Sequence, residues 1–380
     1  MRSILTFLLA LATAVCVADP RARELGVPFE GEPGPLNAIT DVDGVTVGHA
    51  TLIEDLADGH KVRTGVTAIL PRGAASAGTS VFGGWFSLNG NGEMTGTTWL
   101  EESGQLEGPV MLTNTHSVGI VRDAVIAWRV RQGGADASGY WWSLPVVAET
   151  WDGHLNDING FHVKAAHADA ALGAAAAGPV AEGNVGGGTG MICHEFKCGI
   201  GTSSRRVAIE GRAHTVGVLV QANYGLRESL RIAGVPVGER LREHRAYQDQ
   251  PGDTGSIIIV VATDAPLLPH QLKRIARRAG MGLARMGSYA GNGSGDIFIA
   301  FSTANAAALD GRALATAEFI ENGRMDALFE ATVQATEEAI VNALVAARDM
   351  EGEGGRYAKA LPHAELVALL KTYNRFAPKR

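Results

Sequence analysis

The chain has 380 residues, 46% of them hydrophobic, enough to bury a large core in one big domain or two ordinary ones, which excludes disorder except at the ends. A formal charge of −7 with only 6% aromatic residues supplies neither a basic field for a phosphate backbone nor stacking platforms, so nucleic acid is excluded as a partner. Forty-nine glycines, roughly twice the usual share, call for tight turns and close backbone approaches, as in a loop-rich enzyme rather than a helical bundle.

The first 18 residues read as a signal peptide, with Arg2 as the positive end, an apolar run over 4–15 and Cys16-Val17-Ala18 as a small-x-small cleavage site. That run is too short to span a bilayer, and Val15 stands where a lipid anchor on Cys16 would need a small residue. The expected destination is the periplasm or the medium, with no membrane anchor after signal removal. Cys193 and Cys198 are then the only cysteines left; buried thiols are favoured over a disulfide, because closing so short a gap depends on geometry. The intervening His194 and Glu195 complete neither a CxxC pair nor HExxH, so no metal and no cofactor is expected.

Residues 19–35 carry Pro20, Pro28, Pro33 and Pro35 among charges, the composition of an extended arm, and the body is expected from about Leu36. Strands are predicted over 42–47 and 66–70, and a helix over 117–131 with Val118, Val121, Val125 and Trp128 on one face. The glycine-rich stretch 183–190 lacks the Lys-Ser/Thr ending of a phosphate loop and reads as a structural turn. A buried strand over 216–221 runs into Asn223, either a turn residue or a donor into a cleft. Residues 238–253 read as a charged loop.

After Thr254-Gly255-Ser256 comes the β-branched run 257–261, predicted as a central strand buried on both faces. A helix over 269–286, with Lys273, Arg274, Arg277 and Arg278 on a solvated face, a second buried strand over 297–301 and helices over 327–348 and 363–371 complete an α/β or α+β pattern.

GxSxG, HExxH and Walker A sequences are absent, and the histidines are scattered. Ser256 at the head of the apolar strand is left as the nucleophile to weigh. A serine hydroxyl needs a base, and the α-amine of the same residue serves once that residue becomes a chain terminus; its unperturbed pKa of about 8 leaves a useful neutral fraction. Gly255 would permit strained angles before the cut. On the dipeptide alone, self-cleavage and an ordinary turn entering a strand both stay open.

The segments 34–52, 114–123, 144–157, 201–206, 221–226, 253–266 and 291–305, with Asp253-Thr254-Gly255-Ser256 and Gly293-Ser294-Gly295-Asp296 the most specific, resemble the DmpA/BapA family of self-processing aminopeptidases. The resemblance implies a four-layer αββα sandwich, like an Ntn hydrolase but differently connected, a fold shared with ornithine acetyltransferases. It also implies one catalytic domain made of an α chain, 36–255, and a β chain, 256–380, released by cleavage at Gly255-Ser256, with the αβ units assembled into a homo-oligomer, a tetramer of αβ units. On the same ground Ser256 is the nucleophile, Ser294 and Asp296 its supporting relay, Asn223 the oxyanion donor and Glu149 the carboxylate for the substrate's free amine. Asp296 stands where some members carry the longer Glu. Trp151 lies where the β-peptide branch has Trp and D-alanine-preferring relatives have Tyr, pointing to short β-peptides, amides or esters as substrates; the rival is an L-aminopeptidase with D-Ala esterase and amidase activity. Acetyltransferases of the same architecture use Thr rather than Ser, and a periplasmic solute-binding protein is the non-enzyme alternative.

Overall fold

The computed structural model describes residues 20–133, 142–247, 255–309 and 313–378. The expected signal peptide, the end of the charged loop, and Asp253 and Thr254 lie outside the described residues. Twelve strands are central: β1 (Thr46–Asp55), β2 (Lys61–Ala74), β3 (Val81–Ser87), β4 (Gln105–Leu106), β5 (Val110–Asn114), β6 (Val146–Thr150), β7 (Ile192–Cys193), β8 (Phe196–Lys197), β9 (Ile200–Ile209), β10 (Arg212–Asn223), β11 (Ser256–Thr263) and β12 (Gly295–Ser302). The helices are α1 (Thr97–Ser103), α2 (Val118–Gln132), α3 (Ala165–Gly173), α4 (Val237–Arg240), α5 (Pro269–Arg285), α6 (Asp326–Val345) and α7 (His363–Thr372).

The strands form two mixed sheets, one ordered β1-β2-β5-β6 and the other β4-β3-β12-β11-β10-β9, and β7 and β8 make a separate small hairpin. Side chains alternate across a strand, and β11 shows what each face meets. Ile258, Val260 and Ala262 pack between the sheets with Ile69, Leu112 and Ala148. Ile257, Ile259 and Val261 pack against Leu272 and Ile275 of α5 and Ala335 and Ala339 of α6. On the far side, Val66, Met111 and Val147 lie under Val121 and Val125 of α2 and Ala168 and Ala171 of α3. Helix, sheet, sheet and helix are the four expected layers. The outer helix sits so close that a Cβ on Gly201 of β9 would lie 2.0 Å from the carbonyl oxygen of Ala339 in α6, a contact only glycine permits.

Several local expectations change. Residues 42–45 are a turn and β1 begins at Thr46, because Val42 and Val45 reach the core from a loop after a short 3-10 turn. The cationic face of α5 is not simply solvated: Lys273 pairs with Glu101 at 2.5 Å, while Arg277 and Arg278 stack over Phe86 and Phe329 at 5.3 and 3.9 Å. Cys193 and Cys198 form a disulfide instead of remaining thiols. The cause is the β7–β8 turn, where His194 and Glu195 take left-handed angles (φ 48 and 62) and bring the two Cα atoms to 5.4 Å, within bridging range.

The proline-rich arm is docked, with Ala22 and Val27 buried. Its charges answer buried carboxylates: Arg21 meets Glu182 at 2.8 Å and Arg23 meets Glu338 at 2.7 Å. Glu338 of α6 also takes Arg205 at 2.7 Å and the Asn37 amide at 2.6 Å. Burial pushes the Glu338 carboxyl up, but Arg23, Arg205 and Asn37 outweigh it and hold the pKa below the usual range. Removing this carboxylate would strand the guanidinium of Arg205, which is 1% exposed. Glu338→Ala is therefore expected to cost about 3–5 kcal/mol, measured as a fall in the denaturant midpoint.

Candidate active site

The apolar run that makes β11 a central strand sets its first residue between two neighbours. Ser256 pairs with Asn223 across the antiparallel β10–β11 ladder and with Gly295 across the parallel β11–β12 ladder. Ser256 shares the inward face of Ile258 and Val260, and its Oγ accepts a hydrogen bond from the Gly295 N–H at 3.1 Å. Gly255 packs against the end of β10: a Cβ there would lie 2.2 Å from the Asn223 oxygen and 2.4 Å from the Tyr224 Cα. Glycine is needed here for lack of space.

The amide of Asn223 is locked in one orientation. The Ile192 N–H can only donate, and it does so to Oδ1 at 2.8 Å; the Trp151 carbonyl can only accept, and it takes Nδ2 at 2.8 Å. An amide nitrogen carries two hydrogens, and the Trp151 carbonyl takes one of them. Ser294 donates to Asp296 Oδ1 at 2.7 Å, so the expected relay pair is assembled. Pleat alternation, however, places Asp296 opposite Ile257, on the helix-facing side with Phe298. Ser256 faces inward, so its side chain and that of Asp296 lie on opposite faces of the sheet.

Glu149 is the next-to-last residue of β6 in the other sheet and is buried. The connection is the segment 89–95, which staples the two sheets together at this end: Asn91 N–H donates to Ser294 O at 3.2 Å, Thr95 N–H to Val147 O at 2.9 Å, and Glu93 N–H to Glu149 Oε1 at 3.0 Å. A Cβ on Gly92 would be 3.3 Å from Glu149 Oε1 and 3.1 Å from the Gly295 Cα, so the carboxylate and the partner of Ser256 converge on this glycine. The Thr115 hydroxyl donates to Glu149 Oε2. Burial pushes the Glu149 pKa up, against the pull of Thr115 and the Glu93 N–H. Trp151 is 42% exposed, so it lies at the surface rather than in the core. Thr115, Gly295 and the Glu93 N–H escaped sequence reasoning; Thr115 and Gly295 lie inside matched segments, but no chemistry flags a lone threonine or a backbone N–H.

Asp152, next to Trp151, is buried. Its Oδ1 accepts from Asn156 Nδ2 at 3.1 Å. Desolvation outweighs the hydrogen bonds from Thr64, Asn156 and Asn114 and pushes its pKa to about 7.

Residues 37–358 match the model of peptidase family S58. The beta-peptidyl aminopeptidase BapA of Sphingosinicella microcystinivorans is 56% identical, over 97% of this chain and 96% of that protein; that of Sphingosinicella xenopeptidilytica is 47% identical, over 96% and 94%. Among solved structures, the L-aminopeptidase D-Ala-esterase/amidase of Ochrobactrum anthropi, a variant of the Ntn hydrolase fold, superposes with a TM-score of 0.89 at 50% identity, covering 94% of this chain and 100% of that one. A Burkholderia sp. beta-aminopeptidase gives 0.85 at 52% identity, covering 93% and 99%. Fold and likeness define a peptide-bond hydrolase of Ntn-hydrolase type. Within that class, the chain belongs to peptidase family S58.

The raised pKa of Asp152 gives a stability prediction. Its folded pKa lies above the unfolded value, so its contribution is complete below about 4 and is lost as pH rises through about 7. Asp152→Asn, which mimics the protonated acid, is expected to gain melting temperature over the parent increasingly from pH 4 to 8, followed by thermal denaturation in a pH series; a constant offset would contradict it.

Proposed function

We propose that the chain is a β-peptidyl aminopeptidase that activates itself by cutting between Gly255 and Ser256. The observation that carries this is the convergence of Ser256, its Gly295 N–H partner, the orientation-locked amide of Asn223 and the buried carboxylate of Glu149 where the two sheets meet. In activation the Ser256 Oγ adds to the Gly255 carbonyl carbon, the peptide C–N bond breaks, and an ester links Gly255 to Ser256. Water then hydrolyses that ester, leaving one chain that ends at Gly255 and one that begins with the free amine of Ser256.

In turnover that amine takes the Oγ proton as the hydroxyl attacks the substrate carbonyl, and it returns the proton to the leaving amine. Asn223 donates its remaining amide hydrogen to the oxyanion. Ser294 and Asp296 hold the amine side of the site. Glu149 pairs with the substrate's ammonium, which selects a free N-terminus because an internal peptide bond leaves the carboxylate unmatched. Water completes hydrolysis of the acyl-enzyme, and an amine in its place yields a new amide. Trp151 and the two BapA relatives favour N-terminal β-amino acids on short peptides, amides and esters. L-aminopeptidase with D-Ala esterase and amidase activity is the second reading, favoured by the likeness to the Ochrobactrum anthropi enzyme.

We further infer that residues 1–18 are a signal peptide directing the enzyme to the periplasm or the medium, and that the αβ units, 36–255 with 256–380, assemble into a homo-oligomer, a tetramer of αβ units.

Ser256→Ala is expected to run as one band on a denaturing gel and to lack activity; two bands with full hydrolysis of β-homoalanine p-nitroanilide would sink the scheme. Comparing parent rates on that substrate and on D-alanine p-nitroanilide separates the two specificities. Glu149→Gln is expected to be cut normally but to lose roughly 10- to 150-fold in kcat/KM on free-amine substrates. In the parent, protonation of Glu149 should add to the acid-side fall of kcat/KM set by the Ser256 amine, at a pH above the ordinary glutamate range because burial raises its pKa; the Gln variant should lose that added component and keep the fall set by the amine.

A further inference from the structure

Lys197 takes no part in the scheme above, yet its side chain is completely buried. An ammonium removed from water normally finds a carboxylate, but among the described residues Lys197 meets only backbone carbonyls: Cys198 O at 2.6 Å, Met191 O at 2.8 Å and, more distantly, Gly188 O at 3.5 Å. Burial pulls its pKa well below the ordinary lysine value; the neutral amine would still supply donors for the two short contacts.

What makes the Met191 contact informative is the other side of the same peptide unit. The carbonyl of Met191 accepts from Lys197 Nζ and from the Cys198 N–H at 3.0 Å. Among the described residues no peptide bond is cis, so the N–H of Ile192 points away from that carbonyl, and it is the donor to Asn223 Oδ1 at 2.8 Å. Three groups therefore stand in line, Lys197 Nζ–H to Met191 O=C–N–H of Ile192 to the side-chain amide of Asn223. Hydrogen bonds arranged head to tail polarise one another, and a charged donor at the end strengthens the series. The Cys193–Cys198 bridge closes the β7–β8 hairpin around this unit, and the His194 N–H pins the next residue of β10's exit by donating to Tyr224 O at 2.7 Å.

We propose that Lys197 is a positioning residue that acts through the Met191–Ile192 peptide to orient and polarise the oxyanion-binding amide of Asn223. The proposal rests on the oxyanion role assigned to Asn223 under the proposed function. It makes the β7–β8 hairpin a built part of the catalytic apparatus, although none of its side chains touches the reacting atoms.

The experiment is a double-mutant cycle in the full chain, with rates normalised to the two-chain form and β-homoalanine p-nitroanilide as substrate. Lys197→Met is expected to lower kcat about 10- to 100-fold, less than the roughly 100- to 1,000-fold expected for losing the oxyanion donor itself, with KM within about twofold. In an Asn223→Ala background the same substitution is expected to change kcat by less than about twofold, because the group it acts through is gone. Lys197→Gln, which keeps two N–H donors without the charge, should retain more activity than Lys197→Met; if the Met variant does not fold, the Gln variant enters the cycle under the same criterion. A folded variant with unchanged kcat, or an equal loss in both backgrounds, overturns the proposal. An unchanged kcat in Asn223→Ala alone is a different result, which overturns the oxyanion reading beneath it.

Discussion

The row Asn223, Ser256, Gly295 across three adjacent strands is the constraint on which the rest of the site depends. Backbone pairing on both sides of β11 holds the serine at the head of a strand buried on both faces. A serine on such a strand has little freedom to lose, and its neighbours are set by ladder register rather than by flexible loops. The same register explains Gly255, whose missing Cβ leaves room for the end of β10.

The second sheet contributes a buried carboxyl group close to the end of the row. Glu149 arrives near the end of β6, and the segment 89–95 joins it to the start of β12 through main-chain bonds. Burial makes this carboxylate costly to ionise when alone; in the proposed scheme the substrate's ammonium offsets that cost. Asp152, a few residues along, has no such ligand in the scheme and is held toward its neutral form by the same burial. Two carboxyl groups in one short segment are thus given different roles by what surrounds them.

Charged groups elsewhere in the interior serve the architecture. Glu338 gathers Arg23, Arg205 and Asn37, tying the arm, the edge strand β9 and the helix α6 into one unit. Polarity in the arm, which suggests a linker when read along the chain, is a set of partners for buried acids contributed by distant segments. The β7–β8 hairpin follows the same logic, since its left-handed turn, disulfide and buried lysine hold a backbone donor, the Ile192 N–H, against Asn223.

The amino-acid sequence by itself determined the central strands at 257–261 and 297–301, the helices α2, α5, α6 and α7 and the structural character of the glycine loop, because periodicity and β-branching are local properties of consecutive residues. Motif resemblance added the layered architecture and named Ser256, Ser294, Asp296, Asn223 and Glu149. Only the tertiary structure decided which of these share a face: Ser256 and Asn223 point inward, Asp296 does not, and Glu149 reaches them from another sheet. Only it joined Cys193 to Cys198, turned the arm into part of the body and put Thr115, Gly295 and Lys197 against Glu149, Ser256 and the Met191 carbonyl. Those outcomes rest on sheet register, on left-handed turn residues and on burial shared between segments far apart in the chain, and none of these leaves a trace in local pattern.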